Sequence, residues 1–204
     1  MNRKSIKAVI FDLGRVLVDV DLRRGIFKYI PVKKDENERT IMAGLFADPT
    51  FRDFAKGKLT PHQFYSRFKK VTGITLEYDR FVHEWCAVFT PMPGMKELVE
   101  QVKAKYPIGL LSDIGPLHWQ YLVKTIGWLS WFPAPVLSFE QGCLKPDPRC
   151  YLLAATRLNQ SPNHCLFIDD RSINVDSARR LGMEAILFRS VDALRQALLP
   201  LITE

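Results

Sequence analysis

Residues 6–14 have the sequence IKAVIFDLG, a mostly apolar run that leads directly into Asp12 and Gly14. Ile, Val and Phe favour extended backbone, and a run that is apolar at successive positions is typical of a strand buried on both faces of a parallel sheet. The run therefore predicts a central strand over residues 6–11 whose carboxyl end carries an aspartate.

Four further runs of the same kind follow along the chain, in residues 107–112, 135–138, 164–169 and 184–188. Between them, apolar residues recur at the three- and four-residue spacing of amphipathic helices, in residues 94–105, 149–158 and 174–181. Strands that alternate with helices favour a parallel sheet with right-handed crossovers. The predicted fold class is therefore α/β, with a doubly wound parallel sheet.

Residues 20–90 interrupt this alternation, because their pattern indicates helices and no strand. The predicted helices cover residues 24–29, 37–46, 51–55, 61–71 and 78–88. Thr60, Pro61 and Gln63 have the spacing of a capped helix start with proline at the first position. The dense aromatic residues at helical spacing are predicted to form the core of this insert. We expect a catalytic core made of residues 1–19 and 91–204 and a helical cap over residues 20–90.

Composition and charge exclude several classes of protein. The chain has 204 residues, of which 47% are hydrophobic, which fits one domain or one domain with an insert. Its net charge is +7, but the basic residues are scattered and no nucleic-acid-binding motif is present. No apolar run approaches the roughly 18 residues of a membrane span. The four cysteines lack zinc-ligand spacing. We expect reduced, mostly buried cysteines and a cytoplasmic protein that binds neither nucleic acid nor membrane.

Chemically active side chains follow the predicted strands. They are Asp12, Ser112, Lys145, Asp169 and Asp170. Ligands of open parallel sheets bind beyond the carboxyl ends of the strands. A carboxylate can attack phosphorus, a hydroxyl and an ammonium can hold phosphoryl oxygens, and further carboxylates can bind Mg²⁺. Each residue alone could be a helix cap, a turn residue or a surface residue. Their combination at one sheet edge favours a phosphoryl-transfer site.

Four sequence segments carry a resemblance to a known family. FDLGRVLVD, GLLSD, CLKPDPRCY and FIDDRSINVDSARRLGM stand in the order and approximate spacing of the four motifs of the haloacid dehalogenase superfamily. The resemblance covers the whole chain. The helical insert resembles the small α-helical cap of the sugar-phosphatase, dehalogenase and epoxide-hydrolase-linked phosphatase branch, and the first motif resembles the subgroup that has FDLG there. The resemblance implies a hydrolase with a Rossmann-like core.

The same resemblance implies a role for each matching residue. Asp12 would be the nucleophile, and Ser112 and Lys145 would bind the phosphoryl group. Asp12, Asp170 and the backbone carbonyl of Gly14 would hold Mg²⁺. Asp169 would be an auxiliary carboxylate at the metal, and Asn174 would lie close to it.

One position departs from the family pattern. Most phosphatases of the superfamily have a second Asp in the first motif that protonates the leaving group, and here that position is Gly14. Losing general acid catalysis costs about 10²- to 10⁴-fold in rate when the leaving group is a poor one. The candidates to replace the acid are Asp113, Asp19 and Asp21. Asp113 and Arg15 are also candidates for binding the substrate phosphate.

Three functions remain open from the sequence. The first is a Mg²⁺-dependent phosphatase that hydrolyses small phosphomonoesters, sugar phosphates among them, through an aspartyl phosphate on Asp12. The second is a 2-haloacid dehalogenase, which needs no acid because halide leaves unprotonated; Asp169 and Asp170 argue against it. The third is an inactive member that binds a phosphorylated ligand or a protein. We expect a small phosphorylated metabolite as the partner and a monomer or homodimer.

Overall fold

The computed structural model describes residues 6–31 and 48–203, so the predicted helix over residues 37–46 lies outside the described residues. The strands are β1 (Ala8–Phe11), β2 (Val18–Val20), β3 (Phe89–Pro91), β4 (Ile108–Ser112), β5 (Val136–Leu137), β6 (Cys165–Asp169) and β7 (Glu184–Leu187). The helices are α1 (Pro49–Ala55), α2 (Pro61–Thr72), α3 (Tyr78–Cys86), α4 (Met95–Lys103), α5 (Pro116–Thr125), α6 (Ser138–Gln141), α7 (Pro148–Arg157), α8 (Ser172–Arg180) and α9 (Val191–Ile202).

Five strands form one parallel sheet in the order β5-β4-β1-β6-β7. β1 lies at the centre, where Phe11 is in register with Leu110 of β4 and with Ile168 of β6. The predicted strands lie within two residues of the observed ones, and the predicted α/β fold with a doubly wound parallel sheet is confirmed. The carboxyl ends of β1, β4 and β6 therefore meet at one edge.

Successive residues of β1 face the two layers of helices. Val9 and Phe11 pack with apolar residues of α4, α5 and α9, whereas Ala8 and Ile10 pack with residues of α7 and α8. All four side chains are fully buried. Because alternate residues of a strand point to opposite faces, an apolar run without alternation covers both faces.

The described helices of the insert have an aromatic core of their own. Phe54, Phe64, Phe68, Phe81 and Trp85 are buried together, and the rings of Phe54 and Phe64 stack with centroids 4.0 Å apart. This confirms the predicted aromatic core for these residues. The predicted start of α2 is also confirmed, because the Thr60 side chain accepts from Gln63 N–H while the Gln63 side chain accepts from Thr60 N–H.

The expectation of helix alone across residues 20–90 is wrong at both ends of that range. β2 pairs with β3 in an antiparallel ribbon, with Asp19 opposite Thr90. Strands of three residues are too short for a periodic signal, which is why the sequence did not reveal them. The predicted helix over residues 24–29 is instead two 3-10 turns, Leu22–Arg24 and Ile26–Tyr29.

The helical insert packs tightly on the sheet domain. A Cβ on Gly115, just before α5, would lie 2.7 Å from the Phe54 ring. Ser138 Oγ lies 2.6 Å from the carbonyl oxygen of Ala55, to which it can donate. The His118 ring stacks on Trp85, and its Nε2 lies 3.0 Å from the Trp85 carbonyl oxygen. Burial lowers the pKa of His118 to about 4, so the ring is neutral at pH 7.

Within residues 6–31 and 48–203, no helix combines the length and the hydrophobicity that a bilayer span requires.

Candidate active site

Three of the predicted site residues lie at the carboxyl edge of the sheet. Asp12 follows β1 directly, and its N–H donates to the carbonyl oxygen of Ile168 in β6 at 2.8 Å. Ser112 and Asp169 are the last residues of β4 and β6. Their backbones are fixed by the strands, and all three residues are buried. The parallel sheet thus brings residues together that are more than 150 positions apart in sequence.

Lys145 joins two of these carboxylates. Its Nζ donates to Asp12 Oδ1 at 2.6 Å, to Asp169 Oδ2 at 2.7 Å and to the Leu111 carbonyl oxygen at 3.2 Å. An ammonium group has three hydrogens, so this geometry satisfies its donors. The Lys145 side chain is only 2% exposed, and those of Asp12 and Asp169 are 10% and 0% exposed. The result is a buried cation between two buried carboxylates.

Burial and charge shift the protonation of this cluster. Burial raises the pKa of Asp12 to about 7, and the neighbouring Asp169 adds to the rise while Lys145 opposes it. Burial alone would lower the pKa of Lys145, but Asp12 and Asp169 raise it above its ordinary value. Lys145 therefore stays protonated, whereas burial disfavours the charged form of Asp12 relative to that of an exposed aspartate.

Asp169 is held by protein donors on both of its oxygens. The Asn174 amide donates to Oδ1 and Oδ2, each at 3.0 Å, and the Arg171 N–H donates to Oδ1 at 2.8 Å. With Lys145 on Oδ2, the carboxylate is nearly saturated. Asp169 therefore has less free capacity for a metal ion than its neighbours. The side-chain amide of Asn174 thus contacts Asp169.

The cluster has the composition of a divalent cation site. Asp12, Asp169 and Asp170 each offer an oxygen, and these atoms lie within 4.8 Å of one another. Carboxylate oxygens are the ligands that Mg²⁺ prefers. Lys145 supplies one buried positive charge against these three carboxyl groups, and the pKa of Asp12 is raised mainly by burial and further by the neighbouring Asp169. The donor set therefore fits a divalent cation such as Mg²⁺.

Gly14 and Arg15 form a turn at the rim of the site. Arg15 has a φ of 59°, uncommon for a residue with a side chain, and its N–H donates to the Val18 carbonyl oxygen at 2.6 Å. Its guanidinium is 64% exposed and lies 4.0 Å from Asp170 Oδ2. The turn thus presents an accessible cation beside the acidic cluster.

The three acid candidates lie in different environments. Asp19 forms an ion pair with Arg24 at 3.1 Å. Asp21 accepts from Arg23 N–H at 3.0 Å, and this hydrogen bond lowers its pKa. Asp113 is solvent-exposed as a residue, but its carboxyl lies against the Lys145 loop and partial burial raises its pKa. Of the three, Asp113 has the environment that favours the protonated form.

Some contacts of the site had no signal in the sequence. Asp113 Oδ1 accepts the Lys145 backbone N–H at 3.0 Å, which ties the loop after β4 to the loop that carries Lys145. The Leu111 carbonyl and the Arg171 N–H are backbone groups, and the sequence does not indicate their direction. Ser112 lies at the same edge, in register with Leu137 of β5.

Comparison with known proteins identifies the family. The family model for haloacid dehalogenase-like hydrolases matches residues 6–182, which include the whole of the carboxyl-edge cluster. The chain belongs to the haloacid dehalogenase-like hydrolase family. The resemblance to the haloacid dehalogenase superfamily is thereby confirmed, and the protein is a hydrolase by family.

Two curated relatives within this hydrolase family are phosphatases. The D-ribitol-5-phosphate phosphatase of Bacteroides thetaiotaomicron is 23% identical over 196 residues, which cover 88% of this chain and 90% of that protein. The phosphorylated carbohydrates phosphatase of Thermotoga maritima is 26% identical and covers 89% of this chain and 84% of its own length.

A solved structure of a haloacid dehalogenase family enzyme from Bacteroides thetaiotaomicron is also similar. It has a TM-score of 0.76 and 25% identity, and the match covers 91% of this chain and 96% of that one. That enzyme was crystallised in complex with magnesium and inorganic phosphate.

Proposed function

We propose that this protein is a Mg²⁺-dependent phosphatase that hydrolyses small phosphomonoesters through an aspartyl phosphate on Asp12. The observation that carries the proposal is the Lys145 ammonium, which lies 2.6 Å from Asp12 and 2.7 Å from Asp169 at the carboxyl edge of the sheet. A buried cation beside a buried carboxylate can hold a phosphoryl group next to its nucleophile.

Asp12, Asp170 and the backbone carbonyl of Gly14 would hold the Mg²⁺ ion. When bound, it would offset the negative charges of the phosphoryl group and of the carboxylates. Asp169 would contribute chiefly by fixing Lys145, because Asn174 and the Arg171 N–H already occupy its oxygens. Asn174 would in turn hold the Asp169 carboxylate in place.

Asp12 would attack phosphorus and form an acyl phosphate as the bond to the leaving oxygen breaks. Lys145 and the Ser112 hydroxyl would bind the phosphoryl oxygens, where negative charge is spread in the transition state. Water would then cleave the acyl phosphate, releasing inorganic phosphate and regenerating Asp12.

We propose that Asp113 supplies the proton that Gly14 cannot. Its raised pKa favours the protonated form, and its Oδ1 already accepts the Lys145 N–H, which leaves Oδ2 to carry the proton. Asp19 and Asp21 are less suitable, because Asp19 is engaged in an ion pair with Arg24 and the Arg23 N–H holds the pKa of Asp21 below its ordinary value.

We propose sugar or polyol phosphates as the substrate class, since the curated relatives named above act on such compounds. Arg15 would contact the anionic substrate at the rim. Residues 20–90 would act as the cap and residues 1–19 and 91–204 as the core, with the β2–β3 ribbon at the junction. A cytoplasmic location and a monomer or homodimer complete the proposal.

The test is hydrolysis of an aryl phosphate and of an alkyl sugar phosphate by the purified protein, with Mg²⁺ and with a chelator. Asp12→Asn is the matched control, because its side-chain oxygen can still accept from Lys145. We expect Mg²⁺-dependent turnover that falls at least about 10³-fold in Asp12→Asn. Turnover that survives this substitution would overturn the assignment of Asp12 as the nucleophile. No turnover of either ester, together with halide release from a 2-haloacid, would assign the dehalogenase activity instead.

A further inference from the structure

Two cysteines outside the acidic cluster lie unusually close together. The Sγ atoms of Cys143 and Cys150 are 2.7 Å apart. Both residues are buried, with 5% and 1% of their surface exposed. The separation is shorter than an ordinary contact between two sulfurs and exceeds the covalent S–S bond of about 2.05 Å by less than about 1 Å. The folded chain thus places the two sulfurs close enough to form a disulfide with little movement.

We propose that Cys143 and Cys150 are a modification site, at which an intramolecular disulfide fastens the loop that carries Lys145. The two cysteines flank the sequence LKPDPR, so the cross-link would close a short ring with Lys145 inside it. The proposal is independent of whether the protein is a phosphatase.

The local backbone explains why the sulfurs meet. The Asp147 N–H donates to the Leu144 carbonyl oxygen at 2.9 Å, which folds the segment between the cysteines into a tight turn. The Asp147 side chain then accepts from Arg149 N–H and caps α7. The Cys150 N–H donates to the Asp147 carbonyl oxygen at 3.1 Å, which places Cys150 in the first turn of the helix. This arrangement directs Cys150 back toward Cys143.

The other two cysteines have different partners. Cys86 Sγ lies 3.6 Å from the Leu117 carbonyl oxygen, and Cys165 Sγ lies 3.6 Å from the Ser161 carbonyl oxygen. Both are buried thiols with carbonyl contacts, so they serve as internal controls for the reactivity of Cys143 and Cys150.

A peroxide is the oxidant that the proposal requires. Cys143 is the more exposed of the pair and follows the exposed Gly142, so it meets the oxidant first. Its sulfur attacks one peroxide oxygen, the O–O bond breaks, and a sulfenic acid and one water form. Cys150 sulfur then attacks Cys143 sulfur, the S–O bond breaks, and the hydroxyl leaves as water with the Cys150 proton. Two thiols and one hydrogen peroxide thus give one disulfide and two waters.

Closing the bond requires little movement of the loop. Because the sulfurs approach by less than about 1 Å, the contacts of Lys145 with Asp12 and Asp169 are expected to persist. The cross-link restricts the unfolded chain, which raises the melting temperature. Burial raises the pKa of Cys150, so oxidation should be slower than at an exposed, acidic thiol. The disulfide would therefore act as a stabilising latch.

The experiment treats the full-length protein with hydrogen peroxide, blocks remaining thiols with iodoacetamide under denaturing conditions and maps the tryptic peptides. Trypsin does not cut between Lys145 and Pro146, so Cys143 lies in residues 125–149 and Cys150 in the adjacent residues 150–157. We expect these two peptides to be joined, and the link to disappear after dithiothreitol. Cys86, in residues 81–96, and Cys165, in residues 158–171, should carry the alkyl label.

Thermal unfolding provides the second measurement. The oxidised protein should melt roughly 5 °C above the reduced protein, and Cys143→Ala and Cys150→Ala should lose this shift. Labelling of all four cysteines, conversion of Cys143 to sulfinic acid, or a disulfide between two chains would overturn the proposal. A linked peptide without any rise in melting temperature would overturn the claim that the disulfide stabilises the folded protein.

Discussion

The ammonium of Lys145 lies 2.6 Å from the Asp12 carboxylate, and both side chains are almost completely buried. Removing the cation leaves Asp12 and Asp169 without their shared partner. Breaking a buried ion pair on one side typically costs about 3–5 kcal/mol. We expect Lys145→Met to lose about this much free energy of unfolding at pH 7.5, as measured by urea denaturation in the presence of a chelator.

The free energy of unfolding that Lys145→Met loses should be smaller at pH 5 than at pH 7.5. Burial raises the pKa of Asp12 in the folded state to about 7, above the ordinary value of 3.8, and removing Lys145 raises it further. The folded state then binds more protons than the unfolded state, so its stability increases as the pH falls from 7 toward 4. The control is Lys96→Met at an exposed lysine, where we expect a change below about 0.5 kcal/mol. An equal loss at both pH values would contradict this account.

Gly14→Asp should add a general acid at the position where most phosphatases of the superfamily have one, alongside the acid that we propose for Asp113. Apart from its chain neighbours, the only described heavy atom within 4 Å of a Cβ at Gly14 is Val20 Cγ2, at 3.7 Å, so a Cβ is accommodated there without a clash. We expect hydrolysis of an alkyl sugar phosphate to rise about 10- to 100-fold, with little change for an aryl phosphate whose leaving group needs no proton. Gly14→Asn has nearly the same shape without the acid and should not raise the rate of alkyl phosphate hydrolysis. An equal rise in Gly14→Asn would exclude acid catalysis by the introduced aspartate.

Asp113 can be tested by a pair of substitutions. Asp113→Asn keeps an oxygen that can accept the Lys145 N–H, whereas Asp113→Ala removes both that acceptor and the acid. If Asp113 is the acid, Asp113→Asn should slow alkyl phosphate hydrolysis about 10²-fold and leave aryl phosphate hydrolysis nearly unchanged. Ala should slow both, because the Lys145 loop loses its anchor. Unchanged alkyl turnover in Asp113→Asn would exclude Asp113.

The contact between Phe54 and Gly115 should couple the helical insert to the sheet domain. Gly115→Ala places a methyl group 2.7 Å from the Phe54 ring and should cost about 1–3 kcal/mol by overpacking. Phe54→Leu should relieve part of that cost, so a double-mutant cycle in chemical denaturation should give a coupling above about 0.5 kcal/mol. Gly127→Ala is the control, since a Cβ there meets no described atom within 4 Å. Strict additivity would disprove the coupling.

His118 should make the stability depend on pH in the acid range. Its pKa is about 4 in the folded protein, whereas an unfolded histidine titrates near about 6.5. Between these values the unfolded chain binds a proton that the folded ring does not, so stability falls as the pH falls. His118→Phe should reduce the loss of unfolding free energy between pH 6.5 and 4 by about 2–3 kcal/mol. His62→Gln, at an exposed ring, should leave that loss unchanged.

The sequence by itself determined the strands of the five-stranded sheet, the capped start of α2 and the set of candidate site residues that follow the strands. These features depend on patterns among residues that are close in sequence. The apolar run before Asp12 indicates a buried strand by its composition alone, and Thr60 and Gln63 are near enough in sequence to form a capping box. The order of the strands then brings Asp12, Ser112 and Asp169 to one edge, because parallel strands end on the same side.

Only the tertiary structure decided which of these residues touch. The β2–β3 ribbon joins residues about 70 positions apart through three-residue strands that leave no periodic signal. Three further contacts depend on where the loops that follow the strands meet. They are the hydrogen bond from Asn174 to Asp169, the hydrogen bond from the Lys145 N–H to Asp113, and the contact between the sulfurs of Cys143 and Cys150. Such contacts are set by packing and by the direction of backbone groups, neither of which is encoded in the spacing of residues along the chain.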